Sequence, residues 1–525
     1  MASSTRALLR HGSTLSLLTL ISRILGLIRE MVKASLLGTS ALSDAFSVAF
    51  LIPNLFRRLF AEGSISVAFI PTFKACLLEH DRAITREFLS SVFTVLISLV
   101  SLAVLIGMLL TPWIVPFFGI AFDETCFLTR LMFPFLAFVS VAAFFQGILN
   151  SVHSFTPSGL APILLNLLTI ICAFALSAFT ANPARAMALG ILLGGFLEAA
   201  IQLPFVIQKG FRFSFTSLKK AFQNPGLRKV LRLIGPTIIG MAAYQINDLV
   251  STALAGNAGE GVVSSLQYSL RLQELILGVF AVSMGTVLLP DLAEHAASGH
   301  WELYRERLVS ALRIIALITI PITFFFLAQG TNIIPLLFRT NRFGADSVRL
   351  TLAAFTFHMP GLFFIALNRI LAPAFYAQKD AKSPTLAGLC SFGVNILLAA
   401  LLVGPLRGGG IALALTVASA VNTVLLFYFL RNKPRMALCK VLASASVYAL
   451  KLILFSSIAV IPVVWMNPFL AAWCANRGRL FSYGLPLFIT GITYALLGML
   501  LLCISKDRQI QGIWRVLTRR GNAPG

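Results

Sequence analysis

Apolar runs of roughly twenty to thirty residues follow one another along most of this chain, and the polar stretches between them are short. Runs of that length suit membrane-spanning helices, because about 20 residues rising 1.5 Å each cross a hydrocarbon layer of ~30 Å. The pattern predicts fourteen spans, near residues 13–37, 43–76, 88–118, 127–153, 159–180, 186–208, 230–256, 262–291, 308–336, 350–377, 384–405, 408–430, 442–466 and 482–504. An even number places both termini on one side. No connection is long enough for a separate soluble domain. The expected fold class is an all-α polytopic membrane protein.

Three of the spans that carry charge stand out. Span one contains SRILGLIRE, Ser22–Glu30. An arginine at bilayer depth costs roughly 2.5–3.5 kcal/mol on insertion scales, so it faces the bundle interior and marks a water-filled path or an anionic ligand. Arg23 and Glu30 are seven residues apart and share a helix face; Ser22 and Arg29 share another, with Lys33 one turn beyond. Gly26 between the arginines permits a bend or a close helix approach. Internal pairing of Arg29 or Lys33 with a carboxylate is the alternative to a ligand role.

Span two runs from Asp44 to Phe73, 30 residues, which reach about 45 Å as helix and exceed the hydrocarbon layer. Pro53 predicts a kink, with Arg57, Arg58 and Glu62 beyond it towards the cytoplasmic leaflet. Arg58 and Glu62 have i,i+4 spacing and are candidates for a simple pair. Asp44, near the outer end, reads either as a gate partner or as an interfacial cap. In span eight, Ser264, Gln267, Arg271 and Glu274 form a polar stripe on one face. It is expected to face the protein interior, with a direct Arg271–Glu274 pair as the plainer reading. Arginine suits phosphate because its planar fork meets two oxygens at once and keeps its proton. Arg23, Arg29 and Arg271 together would suit a pyrophosphate.

Composition agrees with the pattern: 58% of residues are apolar, 12% are charged, and the mean hydropathy is +0.88. A net charge of +23 in a soluble chain would suggest nucleic acid; here it reflects basic loops on the cytoplasmic side, and no nucleic-acid partner is expected. The odd-numbered loops hold seven basic residues (Arg185, Arg339, Arg342, Arg349, Arg407, Arg477, Arg479). The termini and even-numbered loops hold more than three times as many, which predicts cytoplasmic termini. The N-terminal run after Arg6 and Arg10 carries Arg23, Arg29 and Glu30 at its centre and reads as a retained span, not a signal peptide. Seven scattered cysteines and six histidines form no metal-ligand or nucleophile spacing, so no metal, catalytic residue or enzyme activity is expected.

The longest internal connection, 209–229, is basic (Lys209, Arg212, Lys219, Lys220, Arg228, Lys229) and reads as a linker on an anionic membrane surface. It separates two sets of six spans. A weak repeat supports that division: Gly63–Pro71 and Val282–Pro290 end spans two and eight, 219 residues apart, and Thr156–Asn166 parallels Lys382–Asn395. The expected organisation is a lobe at 1–208, the linker, a lobe at 230–430, and an added helix pair with a basic tail at 431–525. Asp248, Asn395 and Thr416 are candidates for an oxygen-lined cation site, with helix–helix hydrogen bonding as the alternative for Asn395 and Thr416.

Four segments carry a family resemblance: SRILGLIRE, DAFSVAFLIPNLFRRLFAEGSISVAFIP, QYSLRLQEL and LAPAFYAQKDAKSP. They resemble the MurJ/MviN family of lipid II flippases, within the multidrug/oligosaccharidyl-lipid/polysaccharide (MOP) exporter superfamily. The resemblance covers most of the chain. It implies two six-helix lobes in a V around a cationic cavity, with two C-terminal helices adding a groove for a polyprenyl tail. It implies transport of undecaprenyl-pyrophosphate-linked peptidoglycan precursor across the bacterial inner membrane by alternating access. Partners would be lipid II, membrane lipids and the peptidoglycan synthesis machinery. No cofactor is implied; Na+, H+ and the membrane potential all remain open as driving forces. Cavity cations fall on Arg23, Arg29 and Arg271, the basic pair on Arg57 and Arg58, and gate or charge partners on Glu30, Asp44, Glu62, Gln267 and Glu274. This chain departs from the family pattern at Leu270, where an acidic residue is frequent, and at Ser251, with Asp248 one turn away. Two alternatives share parts of this reading: a flippase for another undecaprenyl-linked glycan, and a cation-coupled multidrug antiporter.

Overall fold

A computed structural model describes residues 2–59, 68–79, 81–431, 433, 436–475, 477–507 and 509–511, with side chains described outside 2–16, 236–240, 243 and 279–287. The described residues are helical nearly throughout and contain no strand. In chain order the helices are α1 (Ala2–Leu37), α2 (Ala41–Arg57), α3 (Ile70–Glu79), α4 (Arg82–Ile114), α5 (Phe122–Met132), α6 (Phe135–Ser151), α7 (Thr156–Ala175), α8 (Pro183–Gln208) and α9 (Leu218–Gln223). They continue with α10 (Pro225–Asn257), α11 (Val262–Ala297), α12 (Trp301–Phe338), α13 (Ala345–Tyr376), α14 (Lys382–Leu406), α15 (Gly408–Arg431), α16 (Leu438–Trp473) and α17 (Leu485–Ile504). Among the described residues, ten helical stretches are long and apolar enough to cross a membrane. Helices α1, α2, α10 and α11 stand outside those ten, and they carry, with Arg58 just past the end of α2, the described charged residues that the sequence singled out as candidate ligands and charge partners. The protein is a polytopic all-α membrane protein.

Described helices fall in each of the fourteen expected segments, with three differences. Span two is not one continuous α-helix. Pro53 lacks the N–H that would bond the preceding turn, α2 ends at Arg57, and Arg58–Leu59 take the wider π-type winding. Span four is interrupted at Phe133–Pro134, so α5 and α6 replace one helix. Several helices run past the apolar windows: α10 begins at Pro225, inside the expected linker, and α12 begins at Trp301. Local chemistry explains the starts of α8 and α10. Each begins at an Asn-Pro pair whose asparagine side chain accepts from the third helical N–H, Asn182 from Arg185 and Asn224 from Leu227. Proline at the first helical position gives up a donor that would be unpaired anyway.

The chain divides into two compact units, Met1–Gln267 and Tyr268–Gly525, and the division falls inside α11. In the first unit, α7 and α8 pack so closely that a Cβ on Gly190 would lie 2.7 Å from the Thr169 Cα; small residues permit this approach between membrane helices. Asn166 on α7 donates to the Ser22 carbonyl at 3.3 Å, which ties α1 to α7 beside Arg23. The linker is more structured than its charge suggests. Its extended stretch alternates Phe211, Phe213 and Phe215, and alternation in extended chain puts all three on one side. Phe211 meets Phe73, while Phe213 and Phe215 meet Phe93. Backbone N–H groups of Ser214 and Thr216 donate to Ser90 and Thr94 on α4. The linker therefore docks on protein through its phenylalanines, while Arg212, Lys219 and Lys220 are exposed.

The second unit is built on α12 and α13, with α14 and α15 beside α13 and with α16 and α17 against α12. A Cβ on Gly361 of α13 would meet the Thr416 hydroxyl of α15 at 2.5 Å. Asn332 on α12 donates to Asn467 on α16 at 2.7 Å, and Tyr494 on α17 donates to the Pro321 carbonyl at 2.9 Å. These bonds fasten the last two helices to α12. At the start of α14, Asp380 accepts from Ser383 and lies 2.9 Å from Lys433. Burial alone would raise its carboxyl, but the Lys433 ammonium and the two Ser383 bonds outweigh that and hold it down at about 2.

Candidate anion-binding site

Helix α1 carries the densest charge. Between residues 23 and 33 it places Arg23, Arg29 and Lys33 against a single carboxylate, Glu30. Arg29 Nη2 lies 3.0 Å from Glu30 Oε1, and Lys33 Nζ lies 3.3 Å from Glu30 Oε2, so each oxygen of the one carboxylate faces a different cation. The Arg29 guanidinium also sits 5.6 Å from the Phe50 ring centre of α2, within cation–π range. Internal pairing, the plainer sequence reading, is therefore present, yet it leaves α1 with two more cations than anions over this stretch.

Lys33 takes the pairing role that the sequence offered for it. Its side chain is 2% exposed. It donates to Ser47 on α2 at 3.0 Å and to Gln267 at the first turns of α11 at 3.2 Å. A buried ammonium needs polar partners; here Ser47 and Gln267 accept hydrogen bonds from it and the Glu30 carboxylate supplies the opposite charge. Its i,i+3 spacing from Glu30 is the sequence signal for that pair, whereas Ser47 and Gln267 have no such local signal.

Asp44 acts on backbone. Its two carboxylate oxygens accept from the N–H groups of Gly261 (2.7 Å) and Ser264 (2.8 Å), at the N-terminus of α11. A carboxylate there meets both unpaired amides and the positive end of the helix dipole. The arrangement is reciprocal, because Glu260 accepts from the Ala41 N–H at the start of α2, 2.8 Å away. Glu260 was not singled out by sequence.

Arg57 and Arg58 point to different neighbours. Arg57 Nε donates to Asn54 at 2.7 Å. Arg58 Nη1 lies 3.6 Å from Asp248 Oδ2 on α10. The pairing expected between Arg58 and Glu62 falls outside the described residues at Glu62. Asp248, a candidate cation ligand, thus has an arginine as neighbour. In the second unit the Thr416 hydroxyl donates to the Phe357 carbonyl at 2.6 Å, the helix–helix bond that was its alternative reading, and Asn395 is buried. In the same unit Arg271 Nη1 lies 3.4 Å from Glu274 Oε2, one turn along α11, and both side chains are partly exposed. No group of three or more metal-ligating side chains occurs among the described residues.

Comparisons place this chain among known proteins. The sequence profile described as Lipid II flippase MurJ matches residues 33–481. A probable lipid II flippase MurJ of Treponema pallidum is 45% identical over 511 residues, covering 96% of this chain and 97% of that protein. The lipid II flippase MurJ of Burkholderia cenocepacia is 33% identical, covering 81% and 84%. A solved lipid II flippase MurJ in an inward closed conformation superposes with a TM-score of 0.78 at 23% identity, covering 94% of this chain and 99% of that one. An inward-facing multidrug transporter of the MOP superfamily superposes at 0.64 with 15% identity, covering 80% and 96%. At these identities the two structures speak to the fold. The sequence matches go further: this chain belongs to the MurJ family of lipid II flippases.

Proposed function

We propose that this protein moves lipid II from the cytoplasmic to the periplasmic leaflet of a bacterial inner membrane by alternating access, as a transporter and not an enzyme, with both termini cytoplasmic. The observation that carries the reading is α1, where Arg29 and Lys33 share the single carboxylate of Glu30 and Arg23 adds a third cation to the same helix. Arg23 and Arg29 hold the pyrophosphate, Arg57, Arg58 and Arg271 add positive charge along its route, and Glu30, Asp44, Glu62, Gln267 and Glu274 act as gate or charge partners. The undecaprenyl tail stays in lipid. Arginine keeps its charge in an apolar setting and presents a fork to phosphate oxygens, so the site stays cationic throughout the cycle. A periplasm-positive potential favours outward movement of an anion by about 2.3 kcal/mol per charge per 100 mV, less whatever protein charge moves with it. A cation-coupled drug antiporter would need an acidic path, against the excess of cations on α1.

The test is the sidedness of lipid II in cells depleted of the protein and then complemented. An enzyme that cleaves lipid II only from the periplasmic face reports exposure. Exposure should fall on depletion, return with wild type and stay low with Arg29→Ala. Unchanged exposure without the protein would remove lipid II as its substrate.

A further inference from the structure

The first unit holds a second polar site that the arginine pattern does not assign. A cavity of about 220 Å³ lies among α2, α3, α6, α7 and α8. Its polar lining is Arg57, Gln146, Asn150, Ser158, Glu198 and Gln202, and most of the remaining wall is small apolar side chains. Gln146 and Asn150 are one turn apart on α6, and Glu198 and Gln202 are one turn apart on α8. Two helices each present a polar pair to the same space.

Gln202 is 1% exposed, and its Nε2 donates to the Glu198 backbone carbonyl at 2.9 Å. A carbonyl only accepts, which fixes the orientation of the amide. The opposite atom, Oε1, is buried and receives no hydrogen bond among the described residues. Buried acceptors are almost always paired, so this one marks a position for an O–H or N–H of a ligand. Charge narrows the class. Arg57 and Glu198 contribute one positive and one negative group to the lining. A cation would add charge beside Arg57, and a second phosphate would face the Glu198 carboxylate. A neutral ligand rich in hydroxyl and amide groups meets neither penalty. Amide side chains both donate and accept, as such a ligand requires, and small apolar walls suit a methyl group.

We propose that this cavity receives an N-acetylated hexose, the sugar unit next to the pyrophosphate. Its hydroxyls donate to Gln202 Oε1 and the Glu198 carboxylate, and the amides of Gln146 and Asn150 meet its acetamido group. This rests on the lipid II reading, and Arg57 is the residue shared by both, lining the sugar pocket while adding positive charge along the route of the pyrophosphate.

The experiment compares binding of two probes, lipid II and sugar-free undecaprenyl pyrophosphate, to the purified full-length protein in detergent. Gln202→Leu and Asn150→Leu should each weaken lipid II binding about tenfold, the scale of one buried hydrogen bond. Binding of undecaprenyl pyrophosphate should be unchanged, which also shows that the variants are folded. Equal losses for both probes, or no loss for either, would overturn the sugar pocket, the second result leaving a cavity that holds water only. A Na+-dependent rise in melting temperature in wild type that Gln202→Leu lacks, with lipid II binding intact, would replace it with a cation site. Wild type that binds both probes while the variants fail to separate them sinks the pocket alone; wild type that binds neither sinks the transport reading with it.

Discussion

Replacing Lys33 by methionine tests whether the α1 charges form one coupled group. Methionine keeps most of the stem volume, so the cavity term is small. What is lost is the ammonium, with its bonds to Ser47 and Gln267 and its 3.3 Å approach to Glu30. Breaking a buried ion pair outright costs about 3–5 kcal/mol, mostly because the remaining charge is stranded. Glu30 is not stranded here, since Arg29 stays 3.0 Å from its other oxygen. The expected loss is therefore smaller, about 2–3 kcal/mol, made up of two broken hydrogen bonds and a partly unpaired carboxylate. Glu30→Gln in the same chain removes the carboxylate whose pairing was lost, so the double variant should recover about 1 kcal/mol relative to additivity. Reversible denaturation in mixed micelles measures all four corners of the cycle. A functional consequence follows from the same geometry. With Lys33 gone, Glu30 turns wholly to Arg29, and binding of undecaprenyl pyrophosphate should weaken even where the protein remains folded. A loss below about 0.5 kcal/mol for Lys33→Met, or strict additivity in the double variant, refutes the coupled group.

Three further outcomes follow from other parts of the molecule. Asp44→Ala leaves two helix-terminal N–H groups without their acceptor and should cost about 2–3 kcal/mol in the same denaturation assay, while Asp44→Asn, which keeps one acceptor, should cost about 1 kcal/mol. Equal costs for the two would show that the cap on α11 is not what Asp44 contributes. Gly190→Leu forces α7 and α8 apart and should lower the melting temperature far more than Gly393→Leu, where a Cβ has nothing within 4 Å; similar shifts would argue against the close approach. The Asp380 carboxyl sits at about 2 when folded, below an unfolded value near ~3.9, so its stabilisation is fully present above about pH 4 and is lost as pH falls towards 2. The melting-temperature gap between wild type and Asp380→Asn should therefore shrink over that window, and a constant gap would remove the Lys433 pair from the account.

Much of the fold was legible because membrane helices announce themselves by length and apolarity, and α4, α7, α8 and α12–α17 follow those windows to within a few residues or one or two turns. What the windows miss is local backbone chemistry. The break at Phe133–Pro134 is invisible to hydropathy, since both flanks are apolar, and α10 starts early because Asn224-Pro225 is a helix-start signal inside a basic stretch. In the linker, charge masks a second signal: Phe211, Phe213 and Phe215 alternate as an extended segment does, with Phe211 and Phe213 half-buried against the protein and Phe215 exposed. Charged positions on α1, α2 and α11 were visible individually, but their partners were not. Lys33 to Gln267 and Asp44 to Gly261 each span more than 200 residues, and a single sequence carries no signal for such pairings.

The partners matter because they decide whether arginines at membrane depth remain available to an anion. A carboxylate in full bidentate contact with Arg29 would occupy the fork that phosphate needs. Here Glu30 gives only one oxygen to Arg29, through one nitrogen, because Lys33 holds the other oxygen. Lysine suits that task as a compact point charge fixed by Ser47 and Gln267, whereas arginine suits the exchangeable one as a planar fork. The division of labour also explains why an apparently neutralising Glu30 is compatible with a cationic path. It lowers the mutual repulsion of Arg29 and Lys33 enough for α1 to fold in a low-dielectric setting, and it does so without matching their combined charge. In the proposed cycle a pyrophosphate then gains by completing the Arg29 fork and does not have to displace a carboxylate that Lys33 keeps in place.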